Sequence, residues 1–324
     1  MKPASVLLTR LIPDAGIALL KQAGLNITLN PHARPLLPEE LLREVPRHEA
    51  VICHLTDRIT ETVLQAARPR CRVFATCAVG YDHIDVEAAS RLGIAVTNTP
   101  DVLTEATADL AWAALLAAAR RLGEAERTVR AGAWRGWGMM DFLGVDVFGQ
   151  TLGIVGAGRI GAATARRATG FNMRILYHDT TARQEIESLG GRRVSLDELL
   201  SSSDFISLHT PLLPETRGLL DARAFRRMKR TAVLVNTARG PVVDQAALIQ
   251  ALRRGQIAGA ALDVYHDEPR VPRELMELEN VVLLPHIGSA TLTTRTRMAE
   301  IAARNVIAVL RNERPPCLVA PRPQ

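Results

Sequence analysis

Gly156-Ala157-Gly158-Arg159-Ile160-Gly161 stands near the middle of the chain. It lies between the apolar run Thr151-Leu152-Gly153-Ile154-Val155 and the alanine-rich stretch 162–168. The order predicts a strand, a tight glycine turn and a helix, the setting in which this spacing marks a dinucleotide site. The first glycine permits the turn. The second lets the backbone approach a pyrophosphate, and the third lets the helix pack on the strand. The helix N-terminus then presents N–H groups to the phosphates. A second strand follows at 173–177, and Asp179 comes after Gly161 at close to the roughly 20-residue interval of the ribose-binding acid. An anion there bonds the 2′-hydroxyl of NAD and repels the 2′-phosphate of NADP, so Asp179 favours NAD(H). Arg183, close by in sequence, keeps NADP(H) open.

The loop's position bears on the domain plan, because about half of the 324 residues precede it. That length suggests two domains. A hydrophobic content of 47% supplies cores and 23% charge is ordinary for a soluble globular chain. The net charge of +6 comes from scattered arginine pairs, mostly on predicted helices. No basic run carries interleaved aromatics, which argues against nucleic acid as a partner. Cys53, Cys71, Cys77 and Cys317 lack metal-ligand spacing and read as small buried apolar residues in a reducing compartment. No metal is expected. The N-terminal stretch enters a strand without a signal-peptide pattern, and the most apolar helix, 110–119, is too short for a bilayer. A cytoplasmic protein without membrane contact is expected.

The first hundred residues alternate short apolar runs with helical stretches: strands at 6–8, 50–53, 72–76 and 94–97, and a helix near 14–23. This βαβ pattern implies a parallel sheet. A long, largely buried helix is expected from 102 to about 122, then an irregular segment, 128–149, that holds Trp134 and Trp137 beside glycines. Exposed tryptophans suggest a contact arm. Further strands are expected at 205–208, 232–235, 258–264 and 281–284, with a last helix at 292–310. The expected plan is α/β, with two Rossmann-like, doubly wound parallel-sheet domains. A cofactor domain, 101–286, is inserted into a discontinuous substrate domain, 1–100 and 287–324, and 101–149 serves as linking helix and dimerisation arm. Substrate is expected in the cleft between them.

Ligands of open α/β sheets bind beyond the carboxyl ends of the strands. Those ends yield the glycine loop, Asp179, His209-Thr210-Pro211 with Thr216, Asn236-Thr237-Ala238-Arg239-Gly240, Asp263 with Glu268, and His286-Ile287-Gly288. Arg239, Glu268 and His286 thus come from three strand ends on one edge. A nicotinamide reduction of a carbonyl needs a proton donor, and histidine titrates near neutrality. A carboxylate on its other ring nitrogen fixes the tautomer. Arginine grips a carboxylate bidentately and polarises an adjacent carbonyl. The trio points to a 2-oxo acid and its 2-hydroxy acid product.

With these residues in view, the chain resembles the D-isomer-specific 2-hydroxyacid dehydrogenases over nearly its whole length, and most of all their glyoxylate/hydroxypyruvate reductase branch. The motifs are Cys77-Ala78-Val79-Gly80-Tyr81-Asp82-His83-Ile84-Asp85, Asn98-Thr99-Pro100-Asp101-Val102, the glycine loop, Asn236 to Gly240, Ala261-Leu262-Asp263-Val264 and Pro285-His286-Ile287-Gly288-Ser289. Trp134-Arg135-Gly136-Trp137 and Thr293-Thr294-Arg295-Thr296 carry the branch. The resemblance implies substrate binding by Arg239 and His286, with Glu268 completing the acid/base pair. It implies carboxylate binding by N–H groups near Val79 and Gly80, with Leu55 lining the pocket. Cofactor contacts would come from Thr107, Gly156, Gly158, Arg159, Ile160, Gly161, Asp179, His209, Thr210, Pro211, Thr216, Thr237, Ala238, Arg239, Asp263, His286 and Gly288. It further implies a homodimer that reduces glyoxylate to glycolate and hydroxypyruvate to D-glycerate. Phosphite dehydrogenases resemble this pattern with lysine where Val79 stands, and formate dehydrogenases with glutamine in place of Glu268. Phosphoglycerate and lactate-type substrates stay open. A nucleotide-sensing corepressor shares the fold and these residues, but long flanking segments are not expected here.

Overall fold

The fold is taken from a computed structural model that describes residues 3–320. The chain forms two compact units, one from Met1–Leu103 with Ser289–Gln324 and the other from Thr104–Gly288. The crossings, at 103/104 and 288/289, fall three and two residues after the expected boundaries at 100/101 and 286/287. The Thr107 hydroxyl donates to the Gly288 carbonyl at 3.2 Å, which fastens both crossings to the second unit.

The first unit is a five-stranded parallel sheet. Its strands are β1 (Ser5–Leu8), β2 (Asn26–Leu29), β3 (Ala50–Cys53), β4 (Val73–Thr76) and β5 (Ala95–Thr97), in the order β2-β1-β3-β4-β5. Side chains alternate across the pleat. Val6, Leu8, Ile52 and Ala75 pack beneath helix Leu292–Leu310, beside Ala299, Ala302 and Val306. Leu7, Val51, Cys53 and Phe74 fill the opposite face. Both faces are covered, so the strands read as continuous apolar runs. β2 is the exception. It is a mostly exposed edge strand that alternates polar and apolar residues, Asn26-Ile27-Thr28-Leu29, and it does not read as an apolar run.

The second unit is a seven-stranded parallel sheet. Its strands are β6 (Thr151–Val155), β7 (Arg174–His178), β8 (Arg192–Arg193), β9 (Phe205–Leu208), β10 (Val233–Asn236), β11 (Gly259–Leu262) and β12 (Val281–Leu283), in the order β12-β11-β10-β9-β6-β7-β8. The order reverses at β6, which places the switch point at the glycine loop. Leu152, Ile154, Phe205 and Val235 pack with Trp112 and Leu115 of helix Thr104–Ala119. Leu208, Leu234, Leu248 and Phe225 fill the other face.

Four local expectations differ from the structure. Arg192-Arg193, one of the scattered arginine pairs expected mostly on helices, is the edge strand β8, paired to Leu176 and Tyr177. The long helix stops at Ala119, because Arg121 takes a left-handed conformation with φ of 52°. A second helix, Leu122–Arg130, then covers the start of the segment expected to be irregular. Cys53 and Cys71 are buried, whereas Cys77 and Cys317 are only partly covered. Among the described residues, no helix is long and apolar enough to cross a membrane, and no cluster of histidine, cysteine or acidic side chains could hold a metal ion.

Candidate active site

The carboxyl ends of β6 and β7 build one half of the site. Gly156 has φ of 86°, and a Cβ there would lie 2.7 Å from the Thr210 nitrogen. A Cβ on Gly161 would lie 2.2 Å from the Gly156 carbonyl. The first and third glycines are therefore fixed by the turn and by helix packing. Gly158 faces open space and begins helix Arg159–Ala168, with no side chain capping its first N–H groups. That is the geometry of an anion site. Arg159 and Ile160 form the first helical turn, and the Ile160 carbonyl takes the Thr164 hydroxyl at 2.9 Å.

At the end of β7, Asp179 Oδ2 accepts the Ala157 N–H at 2.8 Å. Its Oδ1 accepts the Thr181 N–H at 3.2 Å and pairs with Arg183 at 3.1 Å. Burial alone would raise this carboxyl, yet the Thr181, Arg183 and Ala157 donors hold it below the ordinary aspartate value. The Arg193 guanidinium of β8 reaches the backbone carbonyls of Asp179 at 3.1 Å and Thr180 at 2.7 Å.

At the ends of β9 and β10 several buried polar atoms lack protein partners. His209 Nε2 bonds the Ser207 hydroxyl at 2.9 Å, while its Nδ1 is unpaired. Burial pushes this imidazole down to about 3, so it is neutral at ordinary pH. The Thr210 and Thr237 hydroxyls are also buried and unpaired. Buried polar groups are nearly always hydrogen-bonded, so these orphans mark a place for a polar ligand. Together with the open glycine and the uncapped helix end, they fit a dinucleotide. Thr216 differs. Its hydroxyl is spent locally on the Pro211 carbonyl at 2.7 Å and the Leu213 N–H at 2.8 Å.

The expected catalytic residues Arg239, Glu268 and His286 lie beyond the ends of β10, β11 and β12. Asn236 orders the first loop, taking the Ala238 N–H at 3.0 Å and donating to the Arg239 carbonyl at 3.0 Å. Arg239 turns one Nη to the Ala238 carbonyl at 2.8 Å. His286 Nδ1 meets Glu268 Oε2 at 2.8 Å, and Glu268 Oε1 takes the Tyr265 N–H at 3.0 Å. Burial would raise Glu268, but the hydrogen bond and charge of His286, the Tyr265 N–H and the charge of Arg239 hold it below the ordinary glutamate value. His286 itself is left-handed, with φ of 55°. The buried Asp263 carboxylate holds the turn that follows, accepting the Ile287 N–H at 2.7 Å and the Gly288 N–H at 2.8 Å. Burial keeps Asp263 above its ordinary value in spite of those donors and the charge of His286.

Leu55, Val79 and Gly80 belong to the first unit, after the carboxyl ends of β3 and β4. The Asn98 amide fixes that loop by donating to the Val79 carbonyl at 2.8 Å. Sequence reasoning placed Asn236 within a motif without a task and gave none to Asn98 or Tyr265. Asn236 works on its near neighbours Ala238 and Arg239, whereas Asn98 and Tyr265 each reach a backbone carbonyl 19 residues away, which no local pattern encodes.

The family model for the NAD-binding domain of D-isomer-specific 2-hydroxyacid dehydrogenases matches residues 112–288. The chain belongs to this family. A protein named glyoxylate reductase from Thermococcus kodakarensis is 52% identical, over 98% of this chain and 96% of that one. The crystal structure of a Thermus thermophilus protein superposes with a TM-score of 0.91 at 47% identity, covering 98% of this chain and 100% of the other. An NADPH-dependent glyoxylate/hydroxypyruvate reductase from Sinorhizobium meliloti, solved with NADP and malonate, gives a TM-score of 0.86 at 33% identity, with 99% and 97% covered. As a D-2-hydroxyacid dehydrogenase the protein is an NAD(P)-dependent oxidoreductase acting on a small 2-oxo or 2-hydroxy acid.

Proposed function

We propose that this dehydrogenase reduces glyoxylate to glycolate, and hydroxypyruvate to D-glycerate as a second reaction. The observation that carries the reading is the 2.8 Å contact between His286 Nδ1 and Glu268, set beside Arg239 at the edge of the sheet. The names borne by close relatives support glyoxylate as the substrate.

When bound, the dihydronicotinamide supplies a hydride to the carbonyl carbon of the 2-oxo acid. Arg239 binds the substrate carboxylate and polarises the carbonyl. Glu268 engages Nδ1 of His286, which leaves Nε2 to deliver a proton to the developing alkoxide. N–H groups near Val79 and Gly80, with Leu55 beside them, complete recognition of the small acid. Thr107 and Asp263 serve the nicotinamide end. Arg159, Ile160 and the glycine loop serve the pyrophosphate, and His209, Thr210, Pro211, Thr216, Thr237, Ala238 and Gly288 line the cofactor.

NAD(H) is the favoured cofactor. Asp179 keeps one lone-pair direction of Oδ2 for a ribose hydroxyl, and its charge opposes a 2′-phosphate. The protein acts as a homodimer through the arm around Trp134 and Trp137, which leaves Trp137 79% and Met140 75% exposed in the single chain.

A steady-state screen of glyoxylate, hydroxypyruvate, pyruvate and 3-phosphohydroxypyruvate with NADH tests the substrate. Glyoxylate should give the highest kcat/KM. Equal or better turnover of pyruvate would overturn the assignment.

A further inference from the structure

Tyr265 bonds Glu268 directly and reaches the segments that carry His286 and Arg239, each contact using a different atom. Its backbone N–H donates to Glu268 Oε1 at 3.0 Å. Its phenol hydroxyl donates to the Leu284 carbonyl at 2.9 Å, with the Leu262 carbonyl at 3.3 Å as a second neighbour. Its own carbonyl packs so closely on the loop after β10 that a Cβ on Gly240 would lie 1.9 Å away. Gly240 follows Arg239 directly, so the arginine loop is seated on the Tyr265 backbone. The ring is buried within the core under this edge of the sheet.

The hydroxyl contact governs His286. Leu284 precedes it by two residues, and the residue between them is Pro285, whose ring fixes φ. The position of the Leu284 carbonyl is therefore passed to His286 with little slack. From the other side Asp263 grips the Ile287 and Gly288 N–H groups. The left-handed His286 is held between these two anchors, and both anchors hang from the same strand end, β11.

We propose that Tyr265 is a positioning residue for the reaction, its hydroxyl setting the distance between His286 and the carboxylate of Glu268 while its backbone seats Glu268 and the Arg239 loop. The proposal rests on Arg239, Glu268 and His286 being the reacting groups. Phenylalanine at this position would keep the ring, the N–H and the carbonyl. It would remove only the bond to Leu284, freeing the end of β12 to drift relative to Glu268.

The test is Tyr265→Phe, measured with glyoxylate and NADH beside the remote core variant Ile257→Val. Active sites are counted by the stoichiometry of NADH binding. Per active site, kcat should fall about 3- to 10-fold, the worth of one neutral hydrogen bond. The glyoxylate KM and the NADH dissociation constant should stay within about twofold. The solvent deuterium isotope effect on kcat should rise, because proton delivery becomes slower. Ile257→Val should lose thermal stability with kcat per site and isotope effect unchanged. An isotope effect and kcat per site equal to wild type in Tyr265→Phe would overturn the positioning role. Wild-type protein that binds NADH yet turns over no 2-oxo acid would instead overturn the functional reading beneath it.

Discussion

Glu268 and His286 lie 18 positions apart in sequence, yet Oε2 of one meets Nδ1 of the other at 2.8 Å. Two strand ends, β11 and β12, bring them together. The second carboxylate oxygen is already committed to the Tyr265 N–H. Glu268 therefore has one orientation, and it meets the imidazole through Nδ1 alone.

In the proposed mechanism His286 is the proton donor, and its removal should leave the cofactor loops intact. His286→Ala should lower kcat by about 10²–10⁴-fold, the range for general acid catalysis. NADH binding, followed by fluorescence, should change little. Glu268→Gln keeps the size but loses the charge, and it should give a smaller loss. An unchanged kcat in His286→Ala would remove this residue from the mechanism.

The proposed preference for NAD(H) rests on the charge of Asp179. Asp179→Ser removes the anion and releases the Arg183 guanidinium, which now sits 3.1 Å from it. The ratio of NADPH to NADH affinity should rise by about tenfold or more, the scale of one charge-assisted hydrogen bond. Titration of wild type and variant with both nucleotides gives the answer directly. A ratio unchanged by the substitution would mean that selectivity lies elsewhere.

The arm carries exposed Trp134, Trp137, Met139, Met140 and Phe148, with Trp137 79% accessible in the single chain. Wild type should run in light scattering at twice the chain mass of 35.3 kDa. Paired Trp134→Ala and Trp137→Ala substitutions should weaken the dimer by about 30-fold or more, as expected when a buried aromatic anchor is truncated. A wild-type mass equal to one chain would exclude the arm as an interface.

Acid stability follows from His209. Its folded-state value is pushed down to about 3, against an ordinary value of 6.5. Above pH 6.5 both states leave the ring neutral, so its contribution is fully present. As pH falls from 6.5 towards 3 the unfolded chain takes up the proton first and stability drains away. Melting temperature should thus drop between pH 7.5 and pH 5. His209→Gln should show a smaller drop over that interval, and an identical drop in both proteins would contradict the assignment.

The strand ends were legible in the sequence because each is a local event. An apolar run of four or five residues, then glycine, histidine or acid, needs no knowledge of the rest of the chain. That is why β3, β6 and β9 and helix Leu292–Leu310 match their sequence readings residue for residue. Strands β2 and β8 were not legible. One is a short exposed stretch of alternating polar and apolar residues and the other is two arginines, and each is a strand only because a neighbouring edge offers it hydrogen bonds.

The sequence by itself determined the glycine loop, the acid that follows it and the identity of Arg239, Glu268 and His286, since residue type and spacing along the chain carry those. Only the tertiary structure decided how they are held. The left-handed turn at His286, the Asp263 grip on Ile287 and Gly288, and the three-way contact of Tyr265 join residues from separate strand ends. Such contacts are set by the register of the parallel sheet, which aligns the strand ends on one edge. A linear pattern states which residues arrive there, and the packing of β10, β11 and β12 states which atoms meet.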